Sequence, residues 1–145
     1  MEFKILIVDD EKEITESLSE VFAEQGYRIL LAGSGDEALA ITEREAVDLV
    51  VLDLHMPGIP GEEVLKHLKE GSSHIKVVVL TGYPEREKAV REIGCDSFLR
   101  KPAAKNSLLE IVSSLLLQKD EDELKRVTMG RRLIDAAPGD PLARL

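Results

Sequence analysis

Asp53 closes the apolar run Leu49-Val50-Val51-Leu52 and opens the loop Leu54-His55-Met56-Pro57-Gly58. A carboxylate at the C-terminal tip of a buried parallel strand stands where open α/β sheets place their chemistry. Three further features come at the ends of apolar runs: Asp9-Asp10 after Ile5-Leu6-Ile7-Val8, Thr81 after Val77-Val78-Val79-Leu80, and Lys101-Pro102 after Phe98-Leu99. Three acids, a hydroxyl and a lysine on one sheet edge suit a divalent cation and a phosphoryl group. Asp10 and Asp53 are the one or two carboxylates that Mg²⁺ usually takes beside its waters, with Asp9 orienting a water or adding a ligand. The cation offsets the mutual repulsion of clustered acids. It leaves Asp53 an outward oxygen able to attack phosphorus and form an aspartyl phosphate. Lys101 offers fixed positive charge and Thr81 a hydroxyl to the oxygens of the transferred group. Pro102 restricts the backbone at Lys101. The Met56-Pro57-Gly58 turn exposes backbone after the nucleophile, so the His55 carbonyl is a further candidate metal ligand.

The elements that must position these groups alternate regularly. Residues 3–8, 27–32, 48–52, 76–80 and 96–99 read as strands. Residues 12–25, 36–46, 62–70 and 85–93 read as helices, and a last helix begins near Asn106 or Ser107, either a suitable cap. In the first helix Ile14, Leu18, Val21 and Phe22 form one apolar stripe, which Gly26 ends. Continuously apolar strands separated by helices mean a parallel sheet covered on both faces. Right-handed crossovers then give an α/β, doubly wound, flavodoxin-like (βα)5 fold with strand order 2-1-3-4-5. In that order the first and third strand tips, carrying Asp9-Asp10 and Asp53, are neighbours. Asp9-Asp10 could alternatively cap the first helix.

The chain of 145 residues supports one domain with a core, residues 1–118, plus a C-terminal extension, 119–145, with no room for an effector domain. The extension opens on the acidic run Lys119-Asp120-Glu121-Asp122-Glu123, and Leu124, Val127 and Ile134 line a second short helix ended by Ala137-Pro138-Gly139. The last helix of the domain is more apolar than one buried stripe requires, and Leu117 points away from the rest. A net charge of −9 disfavours direct nucleic-acid binding. No apolar stretch approaches a membrane span, no secretory leader is evident, and the single cysteine, Cys95, suits a reducing compartment. Cytoplasm is the expected location, and a packed, inert thiol the expected state of Cys95. His55, His67 and His74 share no zinc-ligand spacing.

Asp9-Asp10, the loop DLHMPGIPG from Asp53, Thr81-Gly82 and Lys101-Pro102 resemble the receiver domain of two-component response regulators, over residues 3–118. The resemblance implies that Asp53 accepts a phosphoryl group from the phosphohistidine of a sensor histidine kinase or phosphotransfer protein. It implies that Asp10, Asp53 and the His55 carbonyl hold Mg²⁺ with Asp9 assisting, and that Thr81 and Lys101 contact the phosphoryl oxygens. Phe98 matches the family's switch aromatic, turning inward as the Thr81 hydroxyl moves toward the phosphate. The readout surface for a downstream protein target is then about residues 85–117. His55 and Tyr83 match the two positions that tune the phosphoryl lifetime in this family.

Three functions compete. One is a bacterial phosphorelay receiver, a signalling module that catalyses only its own phosphorylation and dephosphorylation. A second is a Mg²⁺-dependent phosphatase with an aspartyl nucleophile, which would favour D-x-D near the first strand and a cap domain. The third is a receiver-like interaction domain that is never phosphorylated, whose mark would be loss of the acids, threonine or lysine. The first fits the residues best. Signalling then passes to another chain, and residues 85–117 or the tail could support a homodimer.

Overall fold

The computed structural model describes residues 2–71 and 74–135. Five strands, β1 (Lys4–Val8), β2 (Arg28–Ala32), β3 (Leu49–Leu52), β4 (Lys76–Thr81) and β5 (Ser97–Arg100), alternate with five helices. These are α1 (Lys12–Glu24), α2 (Gly35–Arg44), α3 (Gly61–Gly71), α4 (Glu87–Ile93) and α5 (Lys105–Asp135), with a 3-10 turn at Pro84–Arg86 leading into α4. Every strand pairing is parallel and the order is β2-β1-β3-β4-β5, the doubly wound flavodoxin-like arrangement that the alternation of apolar runs implies.

Strand side chains alternate between the two faces, so each strand feeds two cores. Leu6, Val50, Val77 and Val79 meet α2, α3 and α4 through Ala38, Val64, Leu65 and Val90. Ile5, Ile7, Val51 and Val78 meet α1 and α5 through Phe22, Leu108 and Val112. Both faces being covered is why these strands carry no polar alternation. The register aligns Val8 with Leu52 and Thr81 with Arg100, so the residues that follow them emerge together at one edge.

Several boundaries differ from the sequence expectation, each for a local reason. The residue at the N-cap of α1 is Glu11, without a side-chain cap bond. Asp9 instead folds back to accept from the Glu11 amide at 2.9 Å, the short turn that aspartate favours. α5 begins at Lys105, with Ala104 carbonyl accepting from Leu108, so Asn106 and Ser107 lie inside the first turn rather than capping it. Beyond residue 118 no second helix starts: α5 continues unbroken to Asp135, through Leu124 and Val127. Ala137-Pro138-Gly139 lie outside the described residues. Among the described residues no helix is long and apolar enough to cross a membrane.

Candidate functional site

The ladder of the sheet continues one rung past the strands. The Asp53 amide donates to the Val8 carbonyl at 3.0 Å, the Asp9 amide to Ala32 at 3.1 Å, and the Lys101 amide to Thr81 at 2.9 Å. Asp9, Asp53 and Lys101, the candidates from the sequence, are thus pinned by backbone bonds of the sheet itself. Their side chains converge. Asp9, Asp10 and Asp53 each offer a carboxylate oxygen, and these oxygens lie within 4.8 Å of one another. Lys101 Nζ sits 2.7 Å from Asp9 Oδ2 and 3.3 Å from Asp53 Oδ2, with Glu11 Oε1 at 3.7 Å. The Lys101-Pro102 peptide bond is cis.

Asp9 and Asp53 are each only 4% exposed, so their charges need partners, while Asp10 is open to solvent. Burial by itself lowers the Lys101 ammonium, but the hydrogen bond to Asp9 and the Asp53 and Asp9 charges outweigh it and hold the group above its ordinary value. The lysine stays charged. Three clustered carboxylates with one shared ammonium present only hard oxygen donors, and that donor set fits a small divalent cation such as Mg²⁺.

The β3–α3 loop that carries Asp53 is held tightly. Gly58 adopts φ +82°, a left-handed turn that other residues resist. A methyl group on Gly61 would meet the Leu54 Cα at 2.6 Å and the Asp53 carbonyl oxygen at 2.9 Å, so α3 starts directly against the loop backbone. The His55 amide points back to Asp53 Oδ1 at 3.4 Å.

Thr81 is fully buried, and its hydroxyl accepts from the Tyr83 amide at 3.3 Å. The strand register brings Thr81 and Asp53 to the same edge of the sheet, and no hydrogen bond joins the two side chains. Phe98, opposite Val79 on β5, is 8% exposed and packs into the core beneath α4. The rings of His55 and Tyr83 lie in contact, tilted by 39° at a centroid distance of 5.0 Å, on the loops that follow β3 and β4.

Two further residues surround the site that the sequence does not announce. Arg86 donates two hydrogen bonds to Glu62 at the start of α3 and a third to the Leu54 carbonyl at 3.3 Å, and its guanidinium lies 5.8 Å from the Tyr83 ring centre. Burial pushes the Glu62 carboxyl up, but the Arg86 bonds outweigh it and set Glu62 below its ordinary range. Arg86 thereby ties the β4–α4 loop to the loop after Asp53. Separated by 24 positions, the two side chains share no local motif; only the crossover brings them together.

Cys95 packs against the core beneath α4, and burial pushes its thiol up, away from reactivity. His67 is exposed on α3, and His74 lies at the opposite end of the sheet from Asp53, before β4.

Comparisons with known proteins agree with this architecture. The family model of the response regulator receiver domain matches residues 5–113. Sporulation initiation phosphotransferase F of Bacillus subtilis (strain 168) is 37% identical over 118 residues, covering 80% of this chain and 95% of the relative. Response regulator MprA of Mycobacterium leprae (strain TN) is 35% identical over 129 residues, 87% of this chain; the chain spans 57% of the length of that relative. Among solved structures, a CheY-like receiver domain protein from Methanospirillum hungatei JF-1 superimposes with a TM-score of 0.81 at 28% identity, covering 84% of this chain and 99% of that one. Response regulator protein TrrA from Thermotoga maritima, solved in complex with Mg²⁺ and BeF, matches with a TM-score of 0.74 at 36% identity, covering 78% of this chain and 98% of that one. A five-stranded sheet in this order, an acid-lined edge and a family match over three-quarters of the sequence converge: the chain belongs to the response regulator receiver domains of two-component systems.

Proposed function

We propose that this chain is a phosphoacceptor in a two-component phosphorelay, taking a phosphoryl group from the phosphohistidine of a sensor histidine kinase or phosphotransfer protein onto Asp53. The observation that carries the reading is Lys101 Nζ bridging buried Asp9 and Asp53 beside the exposed Asp10. An Asp53 carboxylate oxygen attacks phosphorus. The new O–P bond forms as the P–N bond of the donor breaks, and the electron pair leaves on the imidazole nitrogen. Lys101 is already charged and already at the nucleophile, so it meets the phosphoryl oxygens with little reorganisation. Asp10, Asp53 and the His55 carbonyl would hold Mg²⁺, with Asp9 assisting. When bound, the cation neutralises charge on the acids and on the phosphoryl oxygens.

Thr81 reports the event. Its hydroxyl leaves the Tyr83 amide for a phosphoryl oxygen, and the β4–α4 loop, Phe98 and the surface of residues 85–117 respond. That surface then meets a downstream protein target. Lacking a hydroxyl, Phe98 responds through packing alone. His55 and Tyr83 flank the tip and set how readily water reaches the acyl phosphate. The extension after residue 118 serves as an accessory to a single receiver unit, and the whole acts in the cytoplasm as a signalling module, turning over nothing beyond its own phosphoryl group.

Incubation with acetyl phosphate and Mg²⁺ followed by intact mass tests this reading. Wild type gains one phosphoryl group; Asp53→Ala gains none, and omission of the cation suppresses the gain. An Asp53→Ala protein that is modified like wild type would remove the proposal.

A further inference from the structure

A cation outside the acid cluster reaches the backbone of the loop that carries Asp53. Arg86, in the turn that leads into α4, donates from Nε to Glu62 Oε2 at 2.6 Å and from Nη2 to Glu62 Oε1. The same Nη2 has a second hydrogen, which it donates to the Leu54 carbonyl at 3.3 Å. The Gly61 amide donates to that carbonyl as well, also at 3.3 Å. Leu54 is buried, so protein donors rather than water fill both lone pairs of its oxygen. A fork that served only to tie α3 to the β4–α4 loop would end at Glu62. The third bond grips the peptide unit next to the proposed nucleophile.

That unit is trans and planar, so its carbonyl and its N–H point in opposite directions. Fixing the Leu54 carbonyl therefore fixes the direction of the His55 N–H, which points at Asp53 Oδ1, 3.4 Å away. The other oxygen, Asp53 Oδ2, lies 3.3 Å from Lys101 Nζ. An ammonium carries three rotatable donors and constrains direction weakly. The plane of a gripped peptide constrains it strongly. One Asp53 oxygen thus rests on a charge and the other on an aimed amide, which together fix a side-chain torsion that is otherwise broad. The frame is firm. Gly61 brings the start of α3, and with it Glu62, directly against the Leu54 backbone.

We propose that Arg86 is a positioning residue for phosphoryl transfer, setting the angle of the Asp53 carboxylate through the Leu54–His55 peptide. This rests on the reading of Asp53 as the phosphoacceptor, and it gives Arg86 no contact with the phosphoryl group. The rate at which acetyl phosphate with saturating Mg²⁺ labels the full chain, read by intact mass, tests it beside backbone amide exchange. In Arg86→Met the rate falls at least about tenfold, a modest share of the roughly hundredfold that a misplacement of about 1 Å can cost. The His55 amide of that variant exchanges at least about threefold faster than in wild type, while the Leu6 amide in β1 keeps its rate. Arg86→Lys keeps a charged donor for the Leu54 carbonyl but loses the fork, so its labelling rate falls between those of wild type and Arg86→Met. Asp96→Ala removes an ion pair at the opposite end of β5 from Lys101 and labels at the wild-type rate, which separates lost stability from lost positioning. A wild type that takes no phosphoryl group overturns the phosphoacceptor reading and this inference with it. With wild type labelled, any other order of the three Arg86 rates, unchanged His55 exchange, or equal slowing in Asp96→Ala overturns this inference alone.

Discussion

Lys101 is the residue on which the site's electrostatics turn. Two nearly buried carboxylates share its ammonium, and without it each would be a buried charge lacking its principal partner. Lys101→Met should therefore lower the unfolding free energy by about 1–3 kcal/mol in divalent-free urea titrations, the partial exposure of the lysine keeping the loss below that of a fully buried pair. An unchanged midpoint would show that the acids do not depend on it. Gly61 is the second sensitive position. Its Cβ would strike backbone, which cannot rotate away, so Gly61→Ala should cost about 1–3 kcal/mol by the same measurement. It should also displace the Asp53 loop. The acids, the threonine and the lysine were legible in the sequence because each stands within two residues of the end of an apolar run, and the end of a parallel strand is a place that chain order alone defines. Arg86 and Glu62 were not legible, since their meeting depends on how α3 and the β4–α4 loop pack.

At the scale of elements, ion pairs join the ends of neighbouring units. Asp96 Oδ2, just before β5, accepts from Lys69 Nζ at 2.6 Å and from the Val77 amide at 2.7 Å, while the same lysine donates to the Ile75 carbonyl at 3.1 Å. Asp96→Ala leaves a strand amide and a lysine without their acceptor and should cost about 1–3 kcal/mol in chemical denaturation. A loss well below that would mean water replaces the carboxylate. The Arg86–Glu62 fork has a pH signature. Because Glu62 in the folded chain titrates below its ordinary value of 4.5, its contribution is present above that value and fades as pH falls through the lower, folded value. Unfolding midpoints followed from pH 6 to pH 3 should fall less steeply in Glu62→Gln than in wild type; identical slopes would contradict the assignment. Strand order followed from the pattern of continuous apolar runs, whereas helix ends did not. Asp9 looked like a cap and instead closes a turn onto Glu11, since both readings use the same side-chain oxygen on the same kind of backbone amide.

Over the whole molecule, one edge of the sheet holds the acids and lysine, and the opposite end anchors α5 through Asp48, Lys76 and His74. The continuity of that helix was the least legible feature, because an acidic run such as 120–123 reads as a linker until Lys119 and Lys76 are seen to pair with its members. The excess apolar surface on the last helix was visible early, but its division into a core face through Leu108, Val112 and Leu116 and an outer stripe required the placed helix. The central claim concerns the other end, the proposed site of an aspartyl acyl phosphate. Hydroxylamine converts an acyl phosphate to a hydroxamate, so treating the phosphorylated chain with it and mapping the modified peptide by mass places the phosphoryl group directly. The account predicts the hydroxamate at Asp53; a stable phosphate on another residue, or no modified peptide from a chain shown to carry phosphate, would contradict it.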